Sequence, residues 1–446
     1  MESEQRTYVC IDLKSFYASV ECVERGLDPF ECNLVVADPE RTKTTICLAI
    51  SPAMKALGVK NRCRVYEIPE GIDYIMAPPR MRRYMEVSTQ IYGIYLTYVS
   101  AQDVHVYSVD ECFIDATPYL RLYDIDAKGF ARMLMDAVYA ETGICATAGI
   151  GTNLFLAKVA LDVTAKHAKG NIGCLDEASF KDQIWFHRPI TDIWNIGPGI
   201  ARRLAKYAVY DLAGVCAMSE VTLYKEFGKN AELLIDHAWG QEPCTIEQIH
   251  SYNPKGHSIS SGQVLPCDYS ADEARIVLKE MVDACVLDLV KHNLCCRRVS
   301  LSLGYSGQPA RAEGNIEVFD GGHGKRYLGK KGGVEGVPHR VSATLNSYTS
   351  SANVLQAEFL ALFNRVAADD LPIKKINIAF DDLAPDVRIT PSLFDEQEMF
   401  EREYDAAKAV IKARGRFGKN AVLKAASLQE KATARERNNQ VGGHKA

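Results

Sequence analysis

The first 150 residues alternate strand and helix patterns in an order that few folds accept. Thr7–Asp12 is β-rich and alternating, and reads as a strand that ends on an acid. Phe16, Val20 and Val23 recur at helical spacing after Ser15, a candidate N-cap. Leu34–Ala37 and Thr45–Ile50 read as short strands. Ser51-Pro52 to Gly58 reads as a short helix with a capping serine, a proline start and a glycine stop. A helix is expected over Met81–Tyr95, burying Tyr84, Val87, Ile91 and Ile94. Val104–Val109 and Cys112–Asp115 form a hairpin pinched around Asp110-Glu111, and a helix over Asp126–Glu141 leads to a strand at Cys145–Ile150. With residues 21–77 set aside as an insertion, the order is β-α-β-β-α-β. That is the split βαβ, ferredoxin-like arrangement, a sheet with helices on one face.

Beyond it, Asn153–Lys166 continues as helix, and Ile190–Leu212 reads as two short helices joined by Ile196-Gly197-Pro198-Gly199-Ile200. Tyr252–His257 reads as a linker. A second β/α region follows, with helix Asp272–His292, strands Arg298–Gly304 and Arg340–Asn346, helix Ala352–Val366 and strand Lys375–Phe380. Its order is again roughly β-α-β-β-α-β, without a residue-level repeat of the first region. Asp320–Gly336 is a Gly- and Lys-rich loop, and after Leu383 the chain becomes a tail with a short motif and a helix. A chain of 446 residues allows about three domains on the usual length prior. No apolar run reaches the roughly 20 residues of a membrane span, and Met1–Asp12 does not read as a signal peptide. Fourteen cysteines lie without a CxxC pair or zinc spacing, as expected of a reduced, cytoplasmic chain.

Acids at strand ends carry the first chemical signal. In the expected sheet the strand of Asp12 lies beside the hairpin of Asp110 and Glu111, so three carboxylates converge. Uncompensated, they would raise one another's pKa; a divalent cation resolves the conflict. Magnesium suits them, because it prefers a few carboxylates plus substrate phosphates over a full protein cage. Taken singly, each acid also fits a turn or cap role.

Three segments then carry a family resemblance. Cys10-Ile11-Asp12-Leu13-Lys14-Ser15-Phe16-Tyr17-Ala18-Ser19-Val20-Glu21 resembles the first motif of the Y-family, translesion DNA polymerases. Tyr107-Ser108-Val109-Asp110-Glu111-Cys112-Phe113-Ile114-Asp115 resembles the second, and Ala148-Gly149-Ile150-Gly151-Thr152-Asn153 through Leu156-Ala157-Lys158 the third. The resemblance runs to about residue 385 and looks closest to the bacterial UmuC-like branch. It implies an α+β multidomain fold: a ferredoxin-like palm (1–20 and 78–170) with small inserted fingers (21–77), and a helical thumb with a helix-hairpin-helix (171–250). A β/α little finger (257–384) and a tail (385–446) complete it.

The resemblance implies that Asp12, Asp110 and Glu111 hold two magnesium ions, with the Leu13 carbonyl a further ligand. Lys158 then reaches the incoming triphosphate, although it also fits a solvated helix lysine. Tyr17 becomes the aromatic steric gate that clashes with a ribose 2′-OH; a core aromatic is the plainer reading, and Phe16 is assigned to the core. Many members carry Tyr and Arg three residues apart ahead of a Gly-Val-Lys segment; here Pro52 and Lys55 precede Gly58-Val59-Lys60. Lys55 supplies charge but no bidentate fork. Tyr84 matches a nucleotide-binding position among Arg80, Arg82 and Arg83.

Gly197 and Gly199 resemble a helix-hairpin-helix turn, where a bare backbone and helix N–H groups bind a DNA phosphate without reading sequence. A plain turn between packed helices also fits. Arg297-Arg298 and the loop cations His323, Lys325, Arg326, Lys330 and Lys331 are candidate phosphate contacts, equally readable as solvated charge. Thr390-Pro391-Ser392-Leu393-Phe394 resembles the clamp-binding peptide of bacterial polymerases, with Leu393 and Phe394 as anchors in a sliding clamp.

The function implied is template-directed DNA synthesis from dNTPs on primer-template DNA during damage bypass, by a monomer with no membrane partner. A catalytically dormant DNA- and clamp-binding adaptor is the alternative, and a nucleotidyl cyclase a third; the full set of acids argues against the adaptor, and the helix-hairpin-helix against the cyclase. Net charge of −5 hides an asymmetry: from Lys408 onward there are ten Lys/Arg and two acids, a local +8 that leaves −13 for the rest. The basic end reads either as added DNA affinity or as a solvated tail.

Overall fold

Alternation fixes the central strand of the first sheet: Tyr8–Leu13 (β1) turns Val9, Ile11 and Leu13 to one face and Tyr8, Cys10 and Asp12 to the other. The structure is a computed structural model that describes residues 6–166, 168–254, 258–306, 316–319, 340–368, 371–386 and 397–445. It divides into two units, Met1–Tyr252 with His444–Ala446, and Asn253–Gly443.

In chain order the first unit continues with α1 (Phe16–Val23), β2 (Leu34–Val36), β3 (Ala49–Ile50), α2 (Pro52–Ala56), β4 (Ile75–Ala77) and α3 (Met81–Leu96). Then come β5 (Val104–Val106), β6 (Glu111–Asp115), α4 (Thr117–Tyr123), α5 (Ala127–Thr142), β7 (Ala146–Gly151), α6 (Leu154–Val159) and β8 (Ile172–Leu175). The sheet order is β5-β6-β1-β7-β8, with β1 antiparallel to both β6 and β7. Without β8 this is the ferredoxin-like order expected. Val9, Ile11, Leu13, Cys112 and Ile114 pack under α3 and α5, where Tyr84, Val87, Ile91 and Ile94 are buried as the spacing predicts. The segment read as fingers has a core of its own, around Val35, Cys47, Ile50, Met54 and Cys63, on the sheet β3-β2-β4.

Six further helices follow: α7 (Glu177–Ile184), α8 (Pro198–Ala205), α9 (Leu212–Ala217), α10 (Glu220–Phe227), α11 (Asn230–Ala238) and α12 (Ile246–Ser251). The first five share a core that includes Phe180, Leu204, Leu212 and Leu234 with Phe155 and Val159 of α6, while Ile246 of α12 packs with Tyr8, Cys10 and Phe113 on the sheet. The first helix expected before Gly197 is a single 3₁₀ turn, Ile190–Asp192.

The second unit contains β9 (Ile259–Tyr269), α13 (Ala271–Lys291), β10 (Leu294–Tyr305), β11 (Ile316–Phe319), β12 (Arg340–Thr349), α14 (Ala352–Val366), β13 (Ile373–Pro385) and α15 (Gln397–Phe417). Its element order matches the expectation apart from the added strand β11, but its sheet does not repeat the first. The order is β11-β12-β10-β13-β9, so the opening strand is an edge here and central there. As far as Gly443 the tail is part of this unit. Lys424 and Lys431 pair with Asp283 and Glu273 on α13, Arg437 donates to Gln263 on β9, and Glu403 accepts from Ser351. Acids on α13 therefore neutralise part of the basic end that read as a solvated or DNA-binding tail.

Candidate active site

Pairing across β1 and β6 sets Asp12 directly opposite Glu111, and Cys10 opposite Phe113. Opposed residues on antiparallel strands stand about 5 Å apart at Cβ, so the two carboxylates share one face. Asp110 sits in the turn. Its carbonyl accepts from the Leu13 N–H (2.9 Å), and its carboxylate accepts from the Ser108 hydroxyl (2.6 Å). Burial, then Asp110 and Glu111, push the Asp12 carboxyl up to about 7, against the pull of Lys158.

Two glycines explain how a lysine reaches this face. On β7, Gly149 lies opposite Cys10 and Gly151 opposite Tyr8. A Cβ on Gly149 would stand 2.1 Å from the Ala157 carbonyl oxygen, and one on Gly151 2.2 Å from the Ala157 nitrogen. Only glycine lets α6 lie on the strand this closely. Asn153 caps α6 by accepting from the Leu156 N–H (2.8 Å). Lys158 is thereby buried, 2.7 Å from Glu111 and 3.0 Å from Asp162. Burial alone would lower its pKa; Asp162 and Glu111 more than offset that and raise it. The ammonium expected at a triphosphate is thus held against the acids themselves. Cys10 donates its thiol to Glu111 from beneath (3.3 Å).

Sequence reasoning passed over Lys166. A π-helical turn over Ala160–Thr164 follows α6, and its extra residue shifts the register of what comes after. Lys166, just beyond it, is exposed and acts on Lys55. The Lys55 ammonium reaches solvent, yet is held below the usual lysine value by partial desolvation, Lys166 and Lys14, against the attraction of Asp12. Lys166 and Asp12 thus both act on the charge of Lys55, with opposite sign. The signal in the sequence was the eight-residue step from Lys158 to Lys166, one residue longer than two helical turns.

Tyr17 and Tyr84 also separate by role. Ser15, expected to cap α1, instead adopts a left-handed conformation (φ 49°) and makes no side-chain cap. Tyr17 projects partly exposed from α1 and stacks on Tyr84, while Phe16 is buried as expected. Tyr84, expected at the nucleotide, is fully buried and donates its hydroxyl to Glu21 (2.8 Å). Glu21 is buried too, gripped by Arg80 through Nε (2.8 Å) and Nη2 (2.9 Å) and by Arg25. Those bonds hold its pKa down although burial pushes it up.

Gly197 caps α8 with Pro198 at its first position. A Cβ on Gly197 or Gly199 would meet nothing within 4 Å, so no internal neighbour explains either glycine. Arg203 is occupied by the Glu226 carbonyl and the Phe227 ring. In the second unit Arg297 reaches the Leu345 carbonyl. The loop cations His323 to Lys331 and the clamp-like Leu393 and Phe394 lie outside the described residues.

Among the described residues no three His, Cys, Asp or Glu side chains form a ready-made metal cage. Glu111 is turned to Lys158 and Asp110 to Ser108. The donor set nonetheless fits a hard cation: the ligands are carboxylate oxygens, and Asp12 is raised by burial and by the negative charge of Asp110 and Glu111. No helix among the described residues is long and apolar enough to cross a membrane.

Residues 11–162 match the impB/mucB/samB family, and residues 256–393 match that family's C-terminal domain. The putative UV-damage repair protein UvrX of Bacillus subtilis (strain 168) is 30% identical over 99% of this chain and 98% of its own. DNA polymerase IV 2 of the same organism is 27% identical over 99% of both chains. A solved Y-family DNA polymerase chimera of Dbh and Dpo4 is similar in fold, with a TM-score of 0.59 at 20% identity, over 84% of this chain and 98% of that one.

Proposed function

This chain belongs to the impB/mucB/samB family of Y-family, translesion DNA polymerases, and from that premise we propose that it copies primer-template DNA by two-metal nucleotidyl transfer. The observation that carries the proposal is the Asp12–Glu111 pair on adjacent strands, with Asp110 beside it and Asp12 pushed up to about 7. Asp12, Asp110 and Glu111, with the Leu13 carbonyl, would hold two magnesium ions. Bound there, the ions supply polarisation of the attacking and leaving oxygens and neutralise triphosphate charge.

The chain's own groups divide the remaining work. Lys158 balances Glu111 while the ions are absent and leaves an acid free to accept them. Lys55 and Lys166, whose charges act on each other, meet the triphosphate as point charges. Tyr17 lies under the sugar and excludes a 2′-OH. Gly197 and Gly199 offer bare backbone to a DNA phosphate. Leu393 and Phe394 would anchor a sliding clamp. We read the protein as a cytoplasmic monomer acting in damage bypass.

Primer extension with magnesium tests the reading. The wild type should extend a recessed primer, and Asp110→Ala with Glu111→Ala should reduce extension by at least a thousandfold. A wild type that never extends, with or without a clamp, defeats the proposal in favour of the dormant adaptor.

A further inference from the structure

The face that carries Asp12 and Glu111 continues into a row of aromatic rings that the catalytic reading does not use. Tyr107 leaves the end of β5 three residues before Asp110. Its ring meets Phe113 edge-on at 5.7 Å and Trp194 edge-on at 6.0 Å, and its hydroxyl accepts from Trp194 Nε1 (3.1 Å). Trp194 stacks on His237 (5.8 Å, 19°), and His237 stacks on Phe155 (4.0 Å, 19°). His237 is buried and tied to Glu242 (3.0 Å). The row is thus anchored in the core of the helical region and open at its tip, where Tyr107 is 46% exposed.

Its two ends lie at functional positions. Tyr107 is three residues from Asp110, and Trp194 is three residues from Gly197. Three residues span at most about 10 Å, so each ring residue lies within that distance of the acid or the glycine beside it in sequence. A strand whose 3′-OH lies at the acids, and whose backbone lies on the turn, would pass close to both rings. An aromatic ring packs on a sugar without reading sequence.

We propose that Tyr107 and Trp194 form a binding ledge for the 3′-terminal nucleotides of the primer strand, packing on their sugars and the adjoining base edges. The proposal rests on the polymerase reading for the direction of the strand. The hydrogen bond between the two side chains holds the Tyr107 ring in place, and the ring itself makes the contact.

The test uses the full chain and a primer-template duplex with a dideoxy-terminated primer, followed by fluorescence anisotropy. Tyr107→Ala should weaken duplex binding about tenfold and leave single-stranded template binding within twofold. Tyr107→Phe, which keeps the ring, should stay within threefold of the wild type. A 5-iodouracil at the primer 3′ terminus should photo-crosslink to Tyr107 or Trp194 in the wild type, a readout independent of any variant's folding. Unchanged duplex affinity in a folded Tyr107→Ala protein, or a crosslink mapping only elsewhere, overturns the ledge. A wild type that binds and crosslinks but never extends the same primer carrying a free 3′-OH would defeat the polymerase reading and leave the ledge standing.

Discussion

The ring of Tyr17 lies on that of Tyr84 with centroids 4.4 Å apart and planes 14° from parallel. The lower ring is fully buried and fixed by its bond to Glu21, which is itself held by two arginines. The partly exposed Tyr17, which we propose as the sugar gate, is thus backed by a rigid stack rather than by a loop. Such pairs contribute about 0.5–1.5 kcal/mol beyond their area.

Sugar discrimination should therefore fail in two grades. Tyr17→Ala should raise ribonucleotide incorporation by a hundredfold or more. Tyr84→Leu, which leaves Tyr17 present but unsupported, should raise it about tenfold. Single-nucleotide insertion with dNTP and rNTP measures both; an unchanged ratio in Tyr17→Ala removes the gate.

Lys158 and Lys55 should part on kinetic grounds. Lys158→Met leaves Glu111 half-buried without its cation, so stability should fall by about 3 kcal/mol. The magnesium requirement should shift with it. Lys55→Ala together with Lys166→Ala should instead raise the KM for dNTP about tenfold at nearly unchanged melting temperature. If Lys158→Met raises the dNTP KM alone, the buried ion pair is not its main role.

Asp12 links stability to pH. Its carboxyl binds a proton in the folded chain at pH values where the unfolded chain has lost it. Stability of the metal-free protein should therefore fall as pH rises from about 4 to 7. Every tenfold gain in proton affinity on folding corresponds to about 1.4 kcal/mol, and partial solvent access reduces the total to about 2 kcal/mol. Asp12→Asn should melt several degrees above the wild type at pH 8 in chelator, with the advantage shrinking toward pH 5. Thermal melts across that range decide it; an equal gap at both pH values contradicts it.

Glu280 should hold the tail. Its buried Oε2 accepts from the Thr433 N–H (2.8 Å), the Thr433 hydroxyl (3.3 Å) and the Ala434 N–H (3.1 Å). Glu280→Ala strands those donors at a cost of about 1–3 kcal/mol. Limited proteolysis should then cut after residue 417 at least fivefold faster, while the core of the second unit stays protected. Equal cutting rates would separate Glu280 from the tail.

Local periodicity carried most of the first unit. The 3.6-residue recurrence of Tyr84, Val87, Ile91 and Ile94, and the alternation around Asp12, depend only on neighbours along the chain. What escaped depends on distant contacts. Burial of Lys158 follows from the missing Cβ atoms of Gly149 and Gly151 on another element, and the left-handed Ser15 contradicts its local preference for a cap. Two regions share one element order, yet their sheets close differently, because strand order is decided by pairing and not by the pattern of any one strand. The basic tail read as either DNA-binding or solvated because its partners, Glu273, Glu280 and Asp283, lie about 140–160 residues upstream.

Packing of the tail on α13 changes what a truncation removes. β13 ends at Pro385, paired with Leu294, and α15 is pinned through Glu403 to Ser351 and through Tyr404 to Asn293. Lys424 and Lys431 then lie against Asp283 and Glu273 of α13. Ending the chain before α15 would therefore strip a packed layer from the second unit and expose those acids, so a truncated protein that loses activity reports on folding as much as on anything the tail binds. Point substitutions that leave α15 and its ion pairs in place separate the two effects.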